Sequence, residues 1–464
     1  MKKNSFFEVV SPVDDQVYMT VNKTLPGEVN KILTLTERAQ SIWRNTPLSD
    51  RLKICSSAVQ ILKDEAEGIG QEITWQMGRP IKYSAAEITR GFQERAQYMM
   101  DIAPEALKDI EVLNGSEYKK FIRKEPLGTV LVLAPWNYPF LTSVNAIFPA
   151  LIAGNCVILK HSYQTPRCAT RYAEAFRRAG MPEGVFQYLF IDHEDVPALI
   201  GNRLIKYVSF TGSLSGGKAV QQAVRNKFIG VGLELGGKDP AYVRSDAKLD
   251  STVENLVDGT FFNSGQSCCG IERIYVHHSI FSDFVEAFTL ETKSYVMGNP
   301  LLKETTLGPM VRTSSAQKLH SMVQETIAQG AKPWISVQDF PAYSGEDAYL
   351  PPQILTDLSQ DSAFMQEECF GPVVGIIPVK SDHEAIRLMN DSRYGLTASV
   401  WTRDIEVAQI IGNQIHTGTV YMNRCDYLDP ALAWTGVNDT GKGCTLSILG
   451  YHAFYQPKSF HLKK

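Results

Sequence analysis

Gly128-Thr129-Val130-Leu131-Val132-Leu133-Ala134 carries no charge and no alternation of polar with apolar side chains. Such a run is a strand covered on both faces, the signature of a parallel sheet with helices on either side. Runs of similar character follow at Cys156-Val157-Ile158-Leu159-Lys160, Phe186-Gln187-Tyr188-Leu189-Phe190 and Tyr207-Val208-Ser209-Phe210. Helical stretches over 166–180 and 213–224 separate them. Apolar strands alternating with amphipathic helices predict a parallel α/β sheet and hence a Rossmann-like domain. No Gly-x-Gly-x-x-Gly stands at a strand-to-helix junction, and Gly230-Val231-Gly232 is a lone fragment. What remains is Phe210-Thr211-Gly212-Ser213, a strand end turning into a helix. There Gly212 permits close backbone approach, and the free amides at the helix start can face a pyrophosphate.

Upstream, apolar residues at three- and four-residue spacing predict helices over 28–43, 48–67 and 81–100. Tyr118-Lys119-Lys120-Phe121-Ile122-Arg123-Lys124 roughly alternates, as an exposed strand does. Downstream, a second alternation runs from about 239 to 418, with helices predicted over 251–263, 281–295 and 316–330. Its strands include Ile274-Tyr275-Val276-His277 and Val373-Val374-Gly375-Ile376-Ile377, so a second α/β domain is expected. Ser459-Phe460-His461-Leu462-Lys463 alternates like an edge strand, and an exposed edge invites pairing.

A chain of 464 residues exceeds what one core supports, so two or three domains are expected. Its 44% apolar and 21% charged residues describe an ordinary globular protein. With 46 basic and 50 acidic residues, nothing favours nucleic acid or an anionic membrane. The stretch 146–159 contains Pro149, Gly154 and Asn155 and falls short of a membrane span. The polar start Met1-Lys2-Lys3-Asn4 leads into no signal-peptide core. Eight cysteines with no repeated Cys-x-x-Cys spacing predict neither a metal site nor a disulfide scaffold, and fit free thiols in the cytoplasm.

One stretch carries chemistry. It opens with Leu233-Glu234-Leu235-Gly236-Gly237-Lys238 and closes with Asn263-Ser264-Gly265-Gln266-Ser267-Cys268-Cys269-Gly270. A carboxylate beside a strand-breaking glycine pair, and a thiol after a helical segment, offer a base and a nucleophile. Glu-Leu-Gly-Gly-Lys followed by Gly-Gln-x-Cys resembles the aldehyde dehydrogenase superfamily. Pro135-Trp136-Asn137-Tyr138-Pro139, Phe210-Thr211-Gly212-Ser213, Glu367-Glu368-Cys369-Phe370-Gly371-Pro372 and Asn390-Asp391-Ser392-Arg393-Tyr394-Gly395-Leu396 extend the resemblance over nearly the whole chain, in the family's order.

The resemblance implies NAD(P)-dependent oxidation of an aldehyde to the acid. Cys268 would form a thiohemiacetal, with Cys269 as the rival thiol, and Asn137 would donate to the oxyanion. A nicotinamide cofactor would take the hydride, leaving a thioester that water activated by Glu234 would hydrolyse. Because acyl-transferring relatives typically lack that carboxylate, a hydrolytic enzyme is favoured. Lys160 and Glu368 would hold the two riboses and Phe370 would pack beside the nicotinamide, with Trp136, Ser162, Gly212, Ser213 and Leu235 as further cofactor contacts. Tyr163 stands where many NAD-using relatives carry a glutamate. NAD and NADP therefore both stay open. Tyr138, Asn145, Ser267, Cys269 and Trp434 are the expected substrate pocket; Asn145 points to a hydrogen-bonding tail, and no arginine pair marks a carboxylated one. No metal is expected.

The expected division is a cofactor domain over 1–117 and 134–235, a catalytic domain over 236–432 and a return segment over 433–450. By the resemblance, a small β module made of a hairpin over 118–133 and the segment 451–464 would join copies into a homodimer or homotetramer. A cofactor-independent thiol esterase and a non-catalytic protein on this fold are the competing readings.

Overall fold

The strand Thr129–Ala134 is the axis of the first sheet, buried along its whole length. The computed structural model describes residues 5–113, 117–341, 343–345 and 347–464; the polar start Met1-Lys2-Lys3-Asn4 lies outside them. Six strands run in the order Gly441–Lys442, Gly230–Glu234, Ile205–Thr211, Thr129–Ala134, Cys156–His161, Phe186–Tyr188. All pairings are parallel except that of Gly441–Lys442. Val130, Val132 and Ala134 pack into one apolar cluster while Leu131 and Leu133 pack into another across the sheet. That two-sided burial is why the run shows no polar alternation. Each such side chain stabilises the fold by roughly 1.5–3 kcal/mol.

A second sheet of seven strands has the order Lys332–Pro333, Gln353–Thr356, Val373–Val379, Ile271–His277, Asp239–Val243, Thr397–Trp401, Thr419–Met422. It too is parallel but for one edge. Tyr242 and Tyr275 face one cluster, and Ala241, Val243, Ile274 and Val276 face the opposite one. The fold is thus α/β, with two parallel-sheet units.

The hairpin expected over 118–133 does not form. Tyr118–Pro126 pairs antiparallel with Tyr455–Lys463, whereas Thr129–Ala134 pairs with Cys156–His161 and Ile205–Thr211. Burial explains the split: the first strand is half exposed throughout, the second sealed on both faces. The two strands serve different sheets. Phe121 stacks on Phe460 at 4.5 Å and Tyr118 on His461 at 4.7 Å, fixing the small sheet's register.

The predicted helix over 81–100 is interrupted. A short helix Ile81–Ser84 is followed by a π-helical turn, Glu87–Phe92, and then by the helix Gln93–Leu107. Likewise 48–67 divides into Leu48–Asp64 and Ala66–Met77 at Glu65. Among the described residues no helix is long and apolar enough to cross a membrane.

Candidate active site

The turn Glu234-Leu235-Gly236-Gly237 crosses two other loops, and its glycines are what let it. A Cβ on Gly237 would fall 2.3 Å from the Cys268 carbonyl oxygen, and one on Gly236 would fall 2.4 Å from the Glu368 carboxylate. At Gly237 the obstacle is backbone and cannot give way, whereas at Gly236 a side chain would displace the Glu368 carboxylate. The helix Leu249–Phe261 ends just before the thiol, and Asn263 (φ +54°) and Ser264 (φ +56°) turn the backbone left-handed. Cys268 then stands half exposed among buried neighbours.

Two cavities meet at this point. The larger, about 560 Å³, is bordered by Trp136, Asn137, Gly212, Ser213, Leu235, Glu368 and Phe370. The smaller, about 200 Å³, is bordered by Tyr138, Asn145, Ser267, Cys269 and Trp434. Cys268, Glu234, Thr211 and Thr142 border both. Six of the nine residues expected at the cofactor border the larger cavity, and all five expected at the substrate border the smaller.

Glu234 accepts from Thr445 Oγ1 (2.5 Å) and Thr211 Oγ1 (3.2 Å). Burial raises its pKa, and those two hydrogen bonds oppose the shift. Asn137 donates one amide hydrogen to the Gln266 carbonyl at 3.1 Å. Its own carbonyl is held by Arg79 Nη2 and by Asn263 Nδ2. Arg79 also donates to Asn263 Oδ1 at 3.0 Å and forms a buried ion pair with Glu87. Glu87 in turn accepts from the first amides of the helix Pro139–Ile152, Phe140 and Leu141, both at 2.8 Å. An acid at a helix N-terminus both caps it and suits its dipole. Neither Arg79 nor Glu87 was expected in the site: they lie on other elements, and no local motif marks them.

Cys269 is buried, and its thiol donates to Asp426 Oδ1 at 2.9 Å. Ser267 donates to the same oxygen at 3.2 Å, and burial lifts Asp426 to about 6. Asp426 is a second residue the sequence did not mark.

Glu368 accepts from the Gly237 amide at 3.0 Å, and burial lifts its carboxyl to about 7. The loop carrying it is pinned from below. Glu272 accepts from the amides of Cys369 and Phe370, both at 2.9 Å, while pairing with buried Lys238 at 2.6 Å. Trp136 meets Phe370 edge-on, ring centres 5.7 Å apart.

Lys160, Ser162 and Tyr163 do not border the larger cavity. They sit at the end of the adjacent strand, where Lys160 pairs in register with Leu133. Tyr163 stacks on Phe7 at 3.8 Å and reaches Asp192 Oδ1 at 3.3 Å. Lys160 lies over the Tyr163 ring, and burial lowers its pKa to about 8.

The donor set fits a nicotinamide dinucleotide. The cavity opens at strand C-terminal ends, where α/β sheets bind ligands, and beside the start of the helix Leu214–Val224. Ser213 caps that helix, accepting from the Gly216 amide at 3.2 Å. A carboxylate at Glu368 suits ribose hydroxyls, and an aromatic edge at Trp136 and Phe370 suits a flat ring. The class is therefore an α/β oxidoreductase in which a dinucleotide cleft opens onto a thiol.

The chain matches the aldehyde dehydrogenase family model over residues 1–460. It is 33% identical over 457 residues to an aldehyde dehydrogenase of Paenarthrobacter nicotinovorans, covering 97% of this chain and 98% of that one. It is 32% identical over 427 residues to a succinate semialdehyde dehydrogenase of Escherichia coli named for NAD(P)+, covering 92% and 91%. The solved succinic semialdehyde dehydrogenase of Streptococcus pyogenes in complex with NADP+ superposes with a TM-score of 0.94 at 26% identity, covering 99% of this chain and all of that one. The chain belongs to the aldehyde dehydrogenase family, and it is an NAD(P)-dependent enzyme that oxidises aldehydes.

Proposed function

We propose that Cys268 is the nucleophile of a hydrolytic aldehyde oxidation. Its thiol gives its proton to solvent and the sulfur attacks the aldehyde carbon, forming a C–S bond as the carbonyl π bond breaks and places negative charge on the oxygen. Asn137 answers that charge with the amide hydrogen it has not given to Gln266, and the Cys268 amide adds a second donor. The nicotinamide cofactor, when bound, supplies the two-electron acceptor that turns this adduct into a thioester. Lys160 and Glu368 would hold its riboses, and Trp136 and Phe370 would lie beside its ring. Glu234 then takes a proton from water, the resulting hydroxide adds to the thioester, and the C–S bond breaks to release the acid. The observation that carries this reading is that thiol and carboxylate border both cavities.

The experiment is a panel of short aldehydes assayed with NAD and with NADP in parallel, following the reduced dinucleotide. Formation of carboxylic acid at the same rate as reduced cofactor is expected. Ester hydrolysis without any dinucleotide-dependent turnover would favour the esterase reading instead.

Tyr163 leaves the 2′ position of the adenosine ribose without a facing carboxylate. The nearest one, Asp192, is paired with Lys23 at 2.8 Å. Both dinucleotides are therefore accepted. Tyr163→Glu is expected to lower the NADP-to-NAD ratio of kcat/KM by about tenfold or more, through like-charge repulsion. An unchanged ratio removes Tyr163 from the cofactor site.

The three-stranded sheet of Ile110–Glu111, Tyr118–Pro126 and Tyr455–Lys463 leaves an edge along its last strand. Such an edge supports a homodimer or homotetramer. Sedimentation at micromolar concentration should give two or four chains, and a strictly monomeric profile contradicts the assembly. All eight cysteines are free, which suits a reducing cytoplasm.

A further inference from the structure

The smaller cavity is bordered by one cationic side chain, and among the described residues no carboxylate stands within ion-pair distance of it. Arg95, on the helix Gln93–Leu107, is 5% exposed and borders that cavity together with Cys268. Its Nη1 donates to the Leu141 carbonyl at 2.6 Å and to Asn145 Oδ1 at 3.4 Å. Among the described residues its Nε and Nη2 make no hydrogen bond, and no carboxylate lies within ion-pair distance. Neither nitrogen is among the fully enclosed unbonded atoms, so both have access to open space.

The acids around the same cavity are already engaged. Asp426 accepts from Ser267 and Cys269, Glu94 accepts from Tyr427 Oη at 2.7 Å, and Glu234 accepts from Thr211 and Thr445. A buried guanidinium without a partner is costly, and its planar fork matches a carboxylate through two parallel hydrogen bonds. At about 200 Å³ the cavity lies below the usual ~300–1,000 Å³ of ligand pockets, so the tail it accepts is short.

We propose that Arg95 is the specificity-determining residue of the substrate pocket, and that the aldehyde is a short oxo acid whose far carboxylate sits on Arg95 while its aldehyde carbon meets Cys268. This rests on the reading of Cys268 as nucleophile. The substrate carboxylate then supplies the direct ion-pair contact that Arg95 does not make within the protein. Asn145 orients the arginine through its side-chain oxygen and presents its own amide beside it.

The test uses the enzyme with its dinucleotide and three aldehydes of equal chain length, ending in a carboxylate, a methyl group or an ammonium. Wild type is assayed beside Arg95→Met and Arg95→Lys. Wild type should favour the carboxylate over the methyl end by roughly 10- to 100-fold in kcat/KM, the range for hydrogen bonds to a charged group. Arg95→Met should erase that preference, mainly through KM, and leave the methyl-ended aldehyde nearly unchanged. Arg95→Lys should restore only part of it, since a point charge replaces a fork. Equal wild-type rates on carboxylate and methyl ends, or parallel losses on both in Arg95→Met, overturn the proposal. A preference for the ammonium end also overturns it and transfers the tail contact to Asp426. Should Arg95→Met fail to fold, the wild type still decides. A short monocarboxylate should protect Cys268 from alkylation and the matching amide should not; equal protection, or none, overturns the proposal. Failure of the underlying chemistry looks different, because then none of the three aldehydes is oxidised with either dinucleotide.

Discussion

Cys268→Ser is expected to abolish aldehyde oxidation, with kcat falling by on the order of 10⁴-fold or more, the scale seen when a covalent nucleophile is lost. Cofactor binding should survive, because the residues placed around the dinucleotide are untouched. Cys269→Ser is the informative partner. The two thiols are adjacent in sequence but live in different surroundings. Cys268 is half exposed and borders both cavities, whereas Cys269 is buried and spends its S–H on Asp426. The adjoining Cys268 side chain, then burial and the Asp426 carboxylate, hold the Cys269 thiol well above its ordinary pKa, so it stays protonated. Cys269→Ser should therefore keep most of the wild-type rate. Intact-mass detection of an acyl adduct on wild type and Cys269→Ser, absent from Cys268→Ser, checks the assignment. Activity surviving in Cys268→Ser and lost in Cys269→Ser would reverse it.

Glu234→Gln should separate the two halves of the reaction. Thiol attack and oxidation remain, so one equivalent of reduced dinucleotide per site appears in a burst. Steady turnover then falls by roughly 10²–10⁴-fold, because no base activates the water. The pH profile supplies a second reading. As the proposed base Glu234 would work only as the carboxylate, and burial raises its pKa above the usual glutamate value of about 4.3. Hydrolysis therefore reaches its plateau only above that raised pKa and declines as pH drops through it. In the glutamine variant this acid limb of turnover disappears. Loss of the burst together with the steady rate would show that Glu234 acts before the thioester forms.

Both parallel sheets were legible because their strands are covered on two faces, and unbroken apolar runs such as Thr129–Ala134 record that directly. The motif residues around the thiol were legible for a similar reason. Gly237 is fixed by the close Cys268 backbone and Gly236 by the Glu368 carboxylate against it, so the pair stands out locally. What escaped was everything decided by distant partners. Arg79 and Glu87 clamp Asn137 and the helix after it, yet they come from the far end of a broken helical region. Asp426 sits in a loop with positive φ, and Arg95 follows a π-helical turn that shifts the phase of its helix face. Periodicity could not place Arg95 at the smaller cavity, and without it the pocket read as merely polar. The misassigned hairpin at 118–133 failed on the same ground, since strand alternation says how a strand is buried but not which sheet receives it.

The strand Gly441–Lys442 closes the first sheet against Gly230–Glu234, and Thr445 just beyond it anchors the Glu234 carboxylate. During synthesis, then, the first unit waits for the last stretch of the chain before its edge is complete. A chain cut before Gly441 would keep the thiol loop yet lose the strand and the threonine that hold the Glu234 carboxylate in place.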